Sequence, residues 1–368
     1  MRGRTVILFV MGLPGRFADW CAAAMVRLAA QSGEAVSIDC PPLGDMFGYE
    51  QVSSSILEQL GLALVGGEVD HFVVNARQPD DKLRQLLLER QIPLLVALDE
   101  PGAVVGDIWA ETGAAPKQIV RALANSYPFL MQYEGLPGAL VLTAEQARAD
   151  PVAAVAAIAA HFGFAVELER VAAIAAELAS LGVSGSAGPE GNPAAELPAA
   201  VAKMLDGALS AYHRHFLGGV FGEIVWTRDL FLDGSSGQSP TEPIDATGGA
   251  RILIYGPYIQ LPPGQWMARI VVGVSPETVG STFLVDAFAD IRQLGHATIA
   301  PERGGVYSAD IAFSLEEASL KGVEVRVMTI GERARGRLAL GHVVLQLQSA
   351  WKAETVSASE AFETVLEL

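Results

Sequence analysis

The sequence predicts an α/β unit, a parallel sheet with helices on both faces, followed by an all-β sandwich of jelly-roll type. Three observations carry this. Short, almost continuously apolar runs alternate with helical patterns over the first two-thirds of the chain, as strands of a sheet buried on both faces require. A stretch rich in Gly, Ser, Pro and Asn, "VSGSAGPEGNPAAELP" (183–198), interrupts that rhythm. Beyond about residue 221 the pattern becomes short alternating segments separated by Gly/Pro turns, the signature of an antiparallel sandwich. The boundaries read as 1–182 for the α/β unit, 183–220 for a linker and helix, 221–350 for the sandwich and 351–368 for a tail.

In the α/β unit the strands expected are "TVILFVM" (5–11), "AVSIDC" (35–40), "HFVVNA" (71–76), "PLLVALD" (93–99) and "ALVLTA" (139–144). The helices expected are 18–33, 49–65, 80–91, 115–134 and 151–164, with Ala-rich patterns continuing over 169–182 and 199–219. In the second unit "ARILIYGPYIQLPPGQWMARIVVGV" (250–274) leads into "STFLVDAFAD", "GHATIAP", "VYSADIAFSL", "GVEVRVMTI" and "LALGHVVLQL". The last residues read as a tail or terminal helix, and no internal repeat is found.

Composition narrows the function classes. Of 368 residues 51% are hydrophobic and 18% charged, enough apolar material for a sizeable core. The formal net charge of −17, with Lys and Arg scattered singly, argues against nucleic acid and anionic membranes as partners. Cys21 and Cys40 form neither a disulfide framework nor a zinc pattern. The apolar start is short and runs into Gly-Leu-Pro-Gly without a small-residue cleavage site, so it reads as a first strand. No apolar run is long enough to span a bilayer. A cytoplasmic protein with no membrane span is expected, its oligomeric state open.

The first strand, the turn "GLPG" and the helix after it have the layout of a phosphate-binding loop, with hardly a hydroxyl and no lysine. Gly12, Pro14, Gly15, Arg16 and Trp20 are the loop positions of interest. Two further segments complete a pattern. One is "PLLVALDEPGAVVGDIW" (93–109), with Asp99 and Asp107; the other is "LVLTAEQARADPVAAVAAIAAHFGF" (140–164), with Glu145, Asp150, Pro151, Phe162 and Gly163. Together they resemble the sulfotransferase family, whose P-loop-like α/β fold takes sulfuryl groups from the nucleotide donor PAPS. The resemblance covers about 1–180 and puts Pro14 and Trp20 at the family's Pro and Trp. It puts Asp99 and Asp107 at the Arg and Ser that hold the donor's 3′-phosphate. A shorter match, "ARQP" (76–79), puts Arg77 at a lysine that handles the transferred group, which makes Arg77 the candidate catalytic residue.

The departures fall on the working positions. Phe17 stands where the family has Gly, Ala18 and Asp19 replace hydroxyl donors, and Asp99 replaces a cation. An anion loop needs converging N–H groups, a cation and hydroxyls. One unit-charge pair at about 4 Å interacts by roughly 4 kcal/mol at an effective dielectric near 20, so inverting its sign shifts affinity by decades. The expectation is a sulfotransferase-like protein that has lost PAPS-dependent activity and carries no cofactor, PAPS or PAP binding only if the site is still competent. A transferase with an altered donor, residual chemistry through Arg16 and Arg77, and a protein-interaction scaffold are the alternatives. Asp99, Glu100 and Asp107 invite a divalent cation, but cap a turn or lie on a helix face equally well, and no metal is assigned. His71, His161, His213 and His215 are further acid/base candidates or surface residues.

In the second unit "ILIYGPYIQLPPGQW" (252–266) resembles a sandwich module of bacterial proteins that carry glycosyltransferase or methyltransferase domains and work on surface polysaccharide; Gly256, Pro257, Tyr258, Leu261, Pro262, Gly264 and Trp266 match. A glycan is therefore the partner considered. Tyr255, Tyr258 and Trp266 would supply stacking faces, and Asp286, Asp290 and Arg326 polar contacts; alternatively the aromatics are core residues and Asp286 pairs with Arg326.

Overall fold

A computed structural model describes residues 6–40, 69–76, 87, 89–90, 92–134, 136, 138–181, 197–316, 322–331 and 333–350. The expected helices at 49–65 and most of 80–91, the linker from 183 to 196, Arg77 and the tail 351–368 lie outside the described residues.

The first unit is built on strands β1 (Val6–Gly12), β2 (Ala35–Cys40), β3 (His71–Ala76), β4 (Leu94–Leu98) and β5 (Ala139–Thr143). They form one parallel sheet in the order β2-β3-β1-β4-β5. The chain leaves β1 toward β2 and leaves β4 toward β5. The switch point, and with it the natural ligand crevice, therefore lies beyond the carboxyl ends of β1 and β4. Gly12 closes β1 because a Cβ there would stand 2.7 Å from the Ala97 carbonyl oxygen on β4.

Helices cover both faces. On one face α1 (Arg16–Ala29), α5 (Pro151–Phe162) and α6 (Leu168–Leu178) bury Trp20, Met25, Val155, Ile158 and Ile174 against Val10, Val73 and Leu95. Between β5 and α5 runs the short α4 (Ala144–Ala149), opened by a capping box in which Thr143 and Gln146 satisfy each other's backbone N–H groups. On the other face lie α2 (Pro101–Thr112) and α3 (Pro116–Glu134). Helix α2 is absent from the expected set except as the alternative reading of Asp107. Its two glycines and Val-Val pair are poor helix formers, but Glu100 caps it from the side chain, Pro101 occupies its first turn and Gly113 ends it at φ 65°.

The second unit packs two antiparallel sheets. One has the order β13 (Arg292–Ile299), β12 (Thr282–Ala289), β15 (Val323–Ile330), β9 (Arg251–Tyr255) and β7 (Leu232–Asp233), with β10 (Pro257–Ile259) also on β15. The other runs β14 (Gly305–Leu315), β11 (Gly264–Val274), β16 (Arg337–Ala350) and β6 (Ile224–Thr227), with β8 (Ile244–Asp245) also on β16. Strand β11 shows the governing rule: Trp266, Ala268, Ile270, Val272 and Val274 point inward and are buried, while Gln265, Met267, Arg269 and Val271 alternate to the outside.

The two units share a core. Helix α7 (Ala199–Phe216) packs on α3 and on β6. One apolar cluster runs from Phe9 and Val96 through Tyr127 and Tyr212 to Trp226, Trp266 and Val343. Tyr127 and Tyr212 stack at the seam with ring centres 5.1 Å apart, and Asn125 accepts from the Gln260 backbone N–H at 2.7 Å.

Candidate functional site

The positions that the sequence singled out, apart from Arg77, fall near the carboxyl ends of β1 and β4, in the turn before α1, after β4 and on α2. Pro14 and Gly15 are buried in the turn, and α1 begins at Arg16 with no side-chain cap. Phe17 and Trp20 face the core, stacked 6.0 Å apart, so the bulky ring at position 17 packs inward and does not block the loop. Arg16 is exposed, and its guanidinium lies 3.5 Å from Asp107 on α2. The one cation of the loop is thereby matched with a carboxylate.

The rest of the rim is acidic. Asp99 is 4% exposed; its Oδ1 accepts from the Glu100 N–H at 2.7 Å and sits 3.7 Å from Arg148. Glu100 accepts from the Ala103 N–H and so caps α2. At the end of β3 the buried Asn75 amide donates to both Asp19 (2.9 Å) and Asp39 (3.0 Å). Two buried groups register the field. The Cys21 thiol is pushed up by burial and then by Asp99 and Asp19, and the Tyr127 phenol by burial and then by Glu100 and Asp99. Among the described residues no group of three His, Cys, Asp or Glu is arranged to hold a metal ion. Asp99, Glu100 and Asp107 serve a backbone N–H, a helix cap and Arg16 respectively.

Beside the crevice, a cavity of about 390 Å³ opens between the ends of β4 and β5 and the end of α7. Asp99, Glu100, Glu145, Arg148 and His213 line it. Burial pushes the His213 imidazole down, opposed by Glu100 and Glu145. The sequence named His213 without a setting, and Arg148 not at all; the cavity is assembled from segments far apart in the chain. His215 instead pairs with Glu134 at 3.2 Å, His161 lies edge-on to Phe162, and His71 lies 3.5 Å from the Ser32 hydroxyl.

Four of the residues expected in the sandwich, Tyr255, Tyr258, Asp286 and Arg326, lie together on the outer face of the β12–β15–β9 sheet. Along β15, Val323, Val325 and Val327 point into the core, so Glu324 and Arg326 take the other face. Asp286 on β12 stands opposite Arg326 in register. The pair is bidentate, with Nε donating to Oδ1 at 2.9 Å and Nη2 to Oδ2 at 2.6 Å, and Gln293 donates to Oδ2 at 3.0 Å. Asp286 is 1% exposed, so it is committed to Arg326, the alternative that the sequence left open. The guanidinium also lies 4.0 Å over the Phe288 ring.

Next to this pair Tyr258 is 44% exposed and donates its hydroxyl to Glu324 at 2.9 Å. Burial and the hydrogen bond to Glu324 push its phenol upward. The residue sits at φ 63°, a region that bulky side chains rarely adopt, and its backbone lies directly against Gly322, where a Cβ would come within 2.1 Å of the Tyr258 carbonyl carbon. Tyr255 stands edge-on to Tyr258, ring centres 6.1 Å apart. Trp266 corrects an expectation: it is 1% exposed and its indole N–H donates to the Pro262 carbonyl at 3.0 Å, so it packs in the core and offers no stacking face. Asp290 lies apart, exposed in the β12–β13 turn at φ 55°.

No protein-family model matches the chain, and no characterised protein matches it by sequence. Solved structures give a distant resemblance for each unit. Mouse sulfotransferase SULT7A1, crystallised with PAP, superposes with a TM-score of 0.37 at 12% identity over 48% of this chain and 65% of its own. The C-terminal CBM6 of LamC, a marine laminarinase from Zobellia galactanivorans, gives 0.25 at 14% identity over 34% of this chain and 99% of its own. The xylan-binding module CBM15 gives 0.25 at 16% identity over 35% and 100%.

Proposed function

We propose that the chain is a saccharide-binding protein whose sulfotransferase-like α/β unit has lost the use of PAPS, acting in polysaccharide metabolism from the cytoplasm. One observation carries the binding half. A half-exposed Tyr258 ring is fixed by Glu324 and flanked by Tyr255 and the Arg326–Asp286 pair. A rigid aromatic face takes the C–H face of a pyranose, while oriented charged groups beside it order the hydroxyls. The lost-donor half is supported by the matching of Arg16 to Asp107 and by the carboxylates around it. A donor phosphate entering there meets a negative rim and no uncommitted cation of the loop.

Calorimetry on the full chain tests the donor half: PAP is expected to give no heat up to about 1 mM, an affinity of roughly −4 kcal/mol or weaker. Micromolar binding would overturn it. A glycan array tests the other half, with Tyr258→Ala abolishing whatever signal the parent chain gives; an array signal untouched by that substitution moves the site elsewhere.

A transferase with an altered donor is the second reading, favoured by His213, whose lowered proton affinity keeps a neutral imidazole at neutral pH beside Glu100 and Glu145. On that reading His213→Gln abolishes group transfer to an acceptor while leaving the fold and glycan binding intact.

A further inference from the structure

A second concave site lies on the opposite outer face of the sandwich, where α7 runs along β6. The inward residues of β6 and β16 are Ile224, Trp226, Val343 and Leu345; Val225, Thr227, His342 and Val344 therefore face outward. Between them and the first turns of α7 is a cavity of about 520 Å³. Lys203 from α7 and Arg228 just after β6 stand in its wall with Asp229 as the one carboxylate among its lining residues. Neither Lys203 nor Arg228 has an ion pair among the described residues, although the chain as a whole carries −17. Thr227 adds an independent sign. It is 8% exposed and lines the cavity, yet its hydroxyl has no hydrogen-bond partner among the described residues. A buried hydroxyl without a partner is unusual, and at a cavity wall a bound water or ligand group would satisfy it. The floor, from Val225, Leu340 and Val344, is apolar, and Gly341 leaves it flat.

The cavity continues. An adjoining one of about 230 Å³ shares His342 and Val344 and extends across β16 to β11. Arg269 is held bidentately by Asp310 at 2.8 and 3.1 Å, while Glu223 accepts from the Gln346 amide and keeps its negative charge. The groove thus has a cationic end at Lys203 and Arg228 and a polar end over Met267 and Gln346, with the Glu223 carboxylate at its far edge.

We propose that this seam binds an acidic oligosaccharide, with a uronate carboxylate at the Lys203–Arg228 end and neutral sugar along the β16–β11 end. The guanidinium fork matches a planar two-oxygen anion. The flat apolar floor takes a sugar face, and the Thr227 hydroxyl takes a ring hydroxyl. The site is separate from the Tyr258 face and stands or falls independently of it.

The test is calorimetry of the full chain with a galacturonic acid trisaccharide and with its methyl ester. The acid is expected to bind, more weakly as salt is raised, and the ester to bind at least about tenfold more weakly. Arg228→Ala and Lys203→Ala are each expected to lower the affinity roughly tenfold, and Thr227→Val several-fold, while Tyr258→Ala leaves it unchanged. Because Lys203 and Arg228 hold no ion pair among the described residues, these variants are expected to keep the parent's circular dichroism. Equal binding of acid and ester, no effect of either cation, or equal binding of an oligonucleotide of the same charge would overturn the proposal. Loss of the Tyr258-dependent array signal alone would leave it standing.

Discussion

Asp286 is a charge at 1% exposure, tolerable only because Arg326 and Gln293 occupy both of its oxygens. Such a pair adds little relative to an apolar one of similar volume, but removing one partner strands the other. Arg326→Ala is therefore expected to destabilise the chain by about 3–5 kcal/mol in denaturant unfolding, whereas replacing Asp286 and Arg326 together by leucine costs clearly less. An equal loss for the single and double replacements would mean that packing over Phe288, not charge, is what Arg326 supplies. Gly322 makes a second residue-scale case. A methyl group there meets the Tyr258 backbone, so Gly322→Ala should cost about 1–3 kcal/mol and displace the Tyr258 ring, read as a loss of glycan signal at temperatures where the variant is still folded.

At the scale of elements, α4 depends on its first turn. Six residues make too short a helix to persist without a cap, and Thr143 and Gln146 each satisfy a backbone N–H of the other. Thr143→Ala is expected to lower stability by about 1 kcal/mol and to raise hydrogen exchange over 144–149 selectively; unchanged exchange there would show that Ala144 and Ala147, both buried, hold the helix by packing alone. The elements were also what the sequence revealed best. The apolar strands of the parallel sheet fall within a residue or so of their expected bounds, because burial on both faces leaves no other pattern. Helix α2 was masked by its glycines and valines and is fixed by Glu100, a cap that a charged residue supplies without announcing it. Trp266 was legible: it shares parity with Ala268, Ile270 and Val272, so alternation alone puts it inside. The contacts that make the sites were not. Tyr258 meets Glu324 across 66 positions, and His213 reaches Glu100 and Glu145 only through the fold of α7 back onto the first unit. No spacing rule encodes such encounters, since they depend on sheet order and on where a bridging helix docks.

On the scale of the whole molecule, that docking makes one apolar core out of two architectures. The stacked Tyr127 and Tyr212 lie in its middle, fully buried. Burial pushes both phenols upward, and Tyr258 is pushed the same way with Glu324 adding to it. A group whose proton is held more tightly in the folded chain contributes stability that is intact below its unfolded value, about 10 for tyrosine. That contribution drains away as pH rises above this value, since the unfolded chain then binds fewer protons. Alkaline titration should therefore leave Tyr127, Tyr212 and Tyr258 un-ionised at pH ~11. Their phenolate absorbance should then appear in a single step that coincides with loss of the far-ultraviolet helix signal, because Tyr127 and Tyr212 cannot be uncovered without parting α3 from α7. A continuum of α/β unit and sandwich predicts that the near-ultraviolet signal of Trp226 and Trp266 disappears in the same step. Two separated steps, with the helices lost at one pH and the buried tryptophans released at another, would show that the seam yields before either unit does.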